Sequence, residues 1–259
     1  MTRSGTWAKR YRPILISCVS AVCWILIWHF GAMLANRNLL LKIPLPLETL
    51  QAFFGNLGKG EFWLAVWTSV LHILAGFLAA AVLGIIGGIL SGTYLTFRAV
   101  SAPVLHLIRA VPVAAFVILA WLWIPSDILP GIIAGLMVLP IIWGQVDAGT
   151  RMLDPRYAEM ARVDGMSEWG IAFGIRLPML EDAILGGCVT GLGIAWKAGV
   201  AAEVICNPKG SLGALLQSAK TSIDYVQVFA VTLGVVLLSI LFENLLKVVW
   251  RIRIRDQFR

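Results

Sequence analysis

Lys197 is the residue of this sequence that most demands a chemical role. It stands inside an apolar run from Ala183 to Ile205, where a formal charge costs at least about 2.5 kcal/mol on insertion scales. A lysine held there either attracts an anion along a water-filled path or pairs with a carboxylate or helix carbonyls on a neighbouring segment. Glu203, in the same run, is six positions on and too far round a helix for an easy contact. Trp196, next to Lys197, reads as part of the same path, and Glu203 reads either as a gate or docking contact or as an interfacial carboxylate.

Other chemistries find no footing. His29, His72 and His106 are scattered, with no carboxylate at ligand spacing, so neither a metal site nor a proton relay is expected. Cys18, Cys23, Cys188 and Cys206 lack metal-ligand spacing and read as small packing residues. No G-x-x-x-x-G-K-[ST] phosphate loop is present, and Gly58-Lys59-Gly60 lacks both its spacing and its hydroxyl. The chain is therefore expected to be no enzyme, to bind no cofactor or metal of its own and to draw energy from a partner or an ion gradient.

The elements that must position Lys197 follow from composition. Of 259 residues, 59% are hydrophobic and 14% charged, too few charges to cover that apolar surface in water. The natural solvent is a bilayer, and the net charge of +7 belongs to chain ends and short loops rather than to a nucleic-acid face. Six segments approach the length of about 20 residues that a spanning helix needs: Ile14–Leu34, Val66–Leu90, Val104–Trp123, Ile128–Val146, Ala183–Ile205 and Val226–Val249. The fold class is all-α and polytopic, one transmembrane domain over residues 1–259. With both termini in the cytoplasm, lysines and arginines favour that side by about three to one, as orientation requires. Arg251, Arg253 and Arg255 then anchor the last span to the inner leaflet. In the first outside loop, Leu50, Phe53 and Phe54 predict a short helix lying at the interface. Gly84 and Gly88 form a small-xxx-small pair for close helix packing, within the subunit or against a second copy.

One charged segment, residues 150–180, lies between the fourth and fifth spans. Asp154-Pro155 offers an N-cap followed by proline at the first helical position. Gly165 supplies a left-handed cap, Ser167 caps a second helix through Glu168–Arg176, and Pro178 marks its end. Helix, glycine turn, helix makes a knuckle on the cytoplasmic side, shaped to enter a groove on another protein.

At this point the residues resemble a family. Glu159-Met160-Ala161, then Gly165, then Ile175-Arg176-Leu177-Pro178 resembles the "EAA" loop of binding-protein-dependent ABC importer permeases, with Met160 where the family most often has alanine. Arg109-Ala110-Val111-Pro112 resembles the R-x-x-P at the third span of the nitrate/sulfonate/taurine branch, Pro44-Leu45-Pro46 followed by Leu50 resembles that branch's first outside loop, and Gly191–Ile205, with Trp196 and Glu203, resembles its fifth span. The resemblance implies that two copies of the chain pair to form a pathway through the bacterial inner membrane. Two cytoplasmic ATPase subunits, binding ATP and Mg, would grip Glu159, Met160, Ala161, Asp164, Gly165, Ile175, Leu177 and Pro178. An extracytoplasmic binding protein would deliver the solute past Lys197, Trp196, Glu203, Arg109 and Pro112. That solute is expected to be a small anion of the nitrate, sulfonate or taurine type. The alternatives are a small organic nutrient such as a thiamine-precursor pyrimidine, or a self-contained secondary transporter.

Overall fold

The computed structural model describes residues 4–37 and 42–257, and every regular element among them is helical. In chain order the helices are α1 (Ser4–Ala35), α2 (Pro46–Leu57), α3 (Gly60–Thr93), α4 (Leu95–Ala110), α5 (Val113–Trp121), α6 (Leu129–Met152), α7 (Pro155–Val163), α8 (Glu168–Ile171), α9 (Leu177–Met179), α10 (Glu181–Cys206), α11 (Leu212–Thr221) and α12 (Tyr225–Gln257). A π turn, Ala172–Arg176, joins α8 to α9. Five helices are long and apolar enough to cross a membrane: α1 from Leu15, α3, α6, α10 and α12 as far as Val248.

The expected third span, Val104–Trp123, is not one helix. It is a pair, α4 and α5, bent by 96° at a two-residue break, and α4 begins well upstream at Leu95. Val111 is extended (ψ 126°) because the residue before a proline is driven out of the helical region. Pro112 then caps α5, its missing N–H costing nothing at a helix start. Counted as one broken crossing, the pair brings the spans to six.

The chain forms two compact units. The first comprises residues 1–60 and 218–234. It contains the expected short helix as α2, opened by Pro46 and by Glu48, whose carboxylate accepts the Leu45 N–H at 3.0 Å. Leu47, Leu50 and Phe54 are exposed on it. Asn36 fixes the approach to α2 by exchanging two hydrogen bonds with the backbone of Ile43. Asn56 and Gln227 exchange amide hydrogen bonds of 3.1 and 2.7 Å.

The second unit comprises residues 61–217 and 235–259 and holds the helices that position the site. Between spans in lipid, close packing rather than water exclusion drives association, and α3 meets α6 through small residues. A Cβ on Gly76 would strike the carbonyl of Gly131. Further along, Gly84 and Gly88 receive Ile142 and Val146, so this pair packs α3 on α6 within the subunit. On its other side α6 packs on α10, where Gly187 and Gly191 accept Ile142 and Val138. Ile133, Val138, Ile142 and Val146 are fully buried as a result. A second cluster joins α5 to α10 through Val117, Ala120, Ala198, Ala202 and Cys206. Cys206 thus packs, whereas Cys23 is exposed and Cys188 is intermediate.

Residues Arg3 and Arg259 lie outside the described residues, as do the side chains of Lys9, Arg10, Arg12, Cys18, Arg251, Arg253 and Arg255.

Candidate functional site

The knuckle assembles from local rules. The Asp154 carboxylate accepts the Arg156 N–H at 3.0 Å and caps α7, with Pro155 at the first position. α7 ends at Gly165 (φ +79°), where the Met166 N–H reaches the Ala161 carbonyl at 2.9 Å and the Gly165 N–H that of Arg162 at 3.1 Å. That pair of bonds is a Schellman closure, and the positive φ is why glycine stands there. Ser167 accepts the Gly170 N–H at 3.2 Å and opens α8. The expected α-helix through Arg176 is interrupted by the π turn, in which the Leu177 N–H reaches back five residues to Ala172. Pro178 does not end the helix but sits inside α9, which stops at Leu180. A proline has no N–H to give the preceding turn, and widened turns absorb such breaks.

The knuckle divides its residues cleanly. Ala158, Ala161 and Ile171 are buried together, with Ile175 packed on them. Glu159, Asp164 and Pro178 are exposed and Leu177 is half-buried. Met160 is 65% exposed and Val163 87%. On the second helix Trp169 and Phe173 are exposed and stacked, ring centroids 5.9 Å apart. The two arms are tied by Arg162, whose guanidinium donates to Glu168 at 2.6 and 3.3 Å. That hydrogen bond, then the charge behind it, holds the Glu168 carboxyl below the usual carboxylate range and raises Arg162.

Beneath the knuckle, Asp147 gathers three helices. Its Oδ1 accepts from Ser91 at 2.9 Å and from Arg98 Nε at 3.3 Å, and its Oδ2 from Arg151 at 2.9 Å. Arg98 also donates to the Ser91 carbonyl in the last turn of α3 at 3.0 Å, which suits a cation at a helix C-terminus. Trp143 donates to Ser91 at 2.9 Å and stacks on Phe97. Arg176 reaches from the knuckle to the Thr93 hydroxyl at 3.3 Å. The bend of the third span is pinned to α6 by Arg109, which donates to the Pro140 carbonyl at 2.6 Å. Gly144 makes room for it, since a Cβ there would lie 3.1 Å from the guanidinium.

On α10, Trp196 and Lys197 face different ways. Trp196 is 2% exposed; its indole donates to the Val235 carbonyl at 2.9 Å and packs on Phe242. Lys197 is exposed, on one stripe with Thr190, Ile194 and Ala201, while the other residues of α10 from Gly191 onward are buried or half-buried. It makes no ion pair among the described residues. Glu203 is fully buried. It accepts from Ser69 at 2.7 Å and from the Gly213 N–H at 3.2 Å, and His72 Nδ1 stands 3.6 Å from its second oxygen. Ser69 in turn accepts the Leu212 N–H at 2.9 Å. Glu203 is therefore a knot between α3, α10 and the start of α11, with no access to a docking protein, rather than an interfacial carboxylate. Sequence reasoning missed Ser69, His72 and Gly213, which follow Glu203 only once the helices are packed. It also missed Asp147, Arg98 and Ser91, although a carboxylate near two arginines at a span end was a usable signal.

Comparison with known proteins agrees with this architecture. Residues 80–251 match the family of binding-protein-dependent transport system inner membrane components. The chain is 30% identical to a nitrate import permease protein of Synechocystis sp. over 78% of its length and 74% of the relative's. It is 25% identical to a riboflavin transport system permease protein of Chloroflexus aurantiacus over 90% of each chain. Its fold superposes on a solved bacterial ABC transporter involved in import of the acidic polysaccharide alginate, with TM-score 0.60, 15% identity, 96% of this chain covered and 99% of the other.

Proposed function

The chain belongs to the family of binding-protein-dependent transport system inner membrane components, and from that premise we propose how this ABC importer permease is driven and what it carries. The protein is a multi-pass inner-membrane subunit that works with a substrate-binding protein. In our reading the whole chain acts as one permease domain with both termini in the cytoplasm. It pairs with a second copy, and two ATPase subunits, which hydrolyse ATP with Mg, seat on Glu159, Met160, Ala161, Asp164 and Gly165, braced by Ile175, Leu177 and Pro178. The observation that carries the coupling is the exposed apolar face of the knuckle, Met160, Val163, Trp169 and Phe173. Water is a poor solvent for such a face, and a partner groove is a good one.

The solute is a small anion of the nitrate, sulfonate or taurine type. Lys197 supports this, because an exposed ammonium within a span is expensive against lipid and cheap beside water and an anion. Similarity to the nitrate permease supports it as well. Arg109 and Pro112 shape the bend that flanks the pathway, Trp196 holds the opposite side of α10 against α12, and Glu203 fixes the outer end of α10. A small organic nutrient is the second reading, favoured by similarity to the riboflavin permease.

The test is ATP-dependent uptake by the complex in proteoliposomes, with binding protein supplied. Lys197→Met is expected to lower anion uptake about tenfold or more while leaving assembly intact. Lys197→Arg should retain much of it. Unchanged uptake in Lys197→Met removes the anion role.

A further inference from the structure

Near the knuckle, α3, α4 and α6 line an open cavity of about 320 Å³ that includes Arg98, His106, Arg109, Trp143, Asp147 and Arg151. It holds three guanidiniums against one carboxylate. Asp147 is shared by Arg98 and Arg151, and Arg109 spends one N–H on the neutral Pro140 carbonyl. An adjoining cavity shares Arg98 and Arg151, and it adds Arg162 and Arg176 against Asp154 and Glu159. Arg162 is already paired with Glu168, so that side reduces the positive surplus without removing it. Each guanidinium offers five N–H donors in a planar fork. Among the described residues Arg98 directs its donors to Asp147 and the Ser91 and Gly92 carbonyls, whereas Arg109 bonds only Pro140 and Arg151 only Asp147. Trp143 forms a fixed wall, held between Phe97 and Ser91. The exposed face of α4 carries Leu95, Val100, Val104 and Leu107.

We propose that this cavity is a binding site for an oxyanion group, with the forks of Arg109 and Arg151 receiving two of its oxygens. Bidentate recognition of planar or tetrahedral oxyanions is what arginine provides and lysine does not. Two sources share this chemistry. One is a small free anion; the other is an anionic phospholipid headgroup, whose acyl chains would lie along the apolar face of α4. The site differs from Lys197 and does not depend on which solute is carried.

The experiment uses the full-length protein in Lys197→Met background, so that an anion at Lys197 adds no signal. In phosphatidylcholine nanodiscs, titration with nitrate or inorganic phosphate is read by calorimetry. In parallel, phosphatidylglycerol is titrated into the nanodiscs and its retention read by native mass spectrometry. Ala102 lines the cavity and makes none of its polar bonds, so Ala102→Glu places a carboxylate among the arginines without removing any of them. Ala102→Gln is the equal-sized neutral control. Binding of the free anion in phosphatidylcholine alone identifies the first source, and selective retention of phosphatidylglycerol the second. In either case Ala102→Glu should weaken binding about tenfold or more and Ala102→Gln should not. Absence of both signals, or equal binding by Ala102→Glu, overturns the proposal while leaving the transport reading untouched.

Discussion

Glu203 of the fifth span accepts a 2.7 Å hydrogen bond from Ser69 of the second. The same carboxylate receives the Gly213 N–H at the start of α11. Glu203→Ala leaves Ser69 and that N–H buried without an acceptor, which costs about 1–3 kcal/mol. A melting temperature several degrees lower in detergent is expected. Glu203→Gln, which keeps one carbonyl oxygen, should lose less. Equal stability of wild type and Glu203→Ala would show that the knot contributes nothing.

Gly213 belongs to the same junction. A Cβ at this position would run into the backbone of Glu203 and Val204, so even Gly213→Ala must push α11 away from α10. Thermal scanning should place Gly213→Ala below wild type, and Gly210→Ala, where nothing lies within 4 Å, gives a comparison in which only the positive φ is strained.

Gly165 tests the knuckle. Its φ of +79° costs an alanine about 1–2 kcal/mol and an asparagine less. Gly165→Ala should reduce ATPase copurification and uptake together, with Gly165→Asn between it and wild type.

The bend of the third span depends on Pro112 and Arg109. Pro112→Ala frees Val111 to take helical angles, and Arg109→Gln removes the guanidinium from Pro140. Both variants should insert in the membrane at normal levels and lose most uptake. Retention of full uptake by both would mean that the bend is incidental to transport.

The Arg162–Glu168 tie has a defined pH window. The Glu168 carboxyl is held low, so its contribution is complete above the unfolded carboxyl pKa of about 4.3 and is lost as pH falls through the lower folded value. Arg162 is raised, so its share persists until strongly alkaline pH. Amide exchange in α7 and α8 should be independent of this tie from pH 5 to 8, and Arg162→Ala should change it little, as for most exposed pairs.

Much of this was legible in the residues. Apolar runs placed five spans, because twenty apolar residues in a bilayer have few alternatives to helix. Asp154-Pro155, Gly165 and Ser167 gave the knuckle its caps, since each acts within three residues of itself. The break at Pro112 was misread as a continuous span, because hydropathy records composition and not direction. The π turn before Pro178 was hidden for the same reason. α11 was absent from the expectation because its ten residues rest on Glu203 and Ser69, partners more than a hundred positions apart in sequence. The turning away of Trp196 from Lys197 also needed α12, whose Val235 and Phe242 claim the indole.

The central claim is that a motor subunit seats on the knuckle. Met160→Cys, in a cysteine-depleted chain coexpressed with its ATPase subunit and a single cysteine in that subunit's groove, measures it by disulfide cross-linking in membranes. A cross-link at Met160 that changes in yield with ATP, and none from Leu50→Cys on α2, is the predicted result. Labelling of Met160→Cys by an impermeant reagent from the outer face, with no cross-link to the ATPase, is the result that would contradict the account.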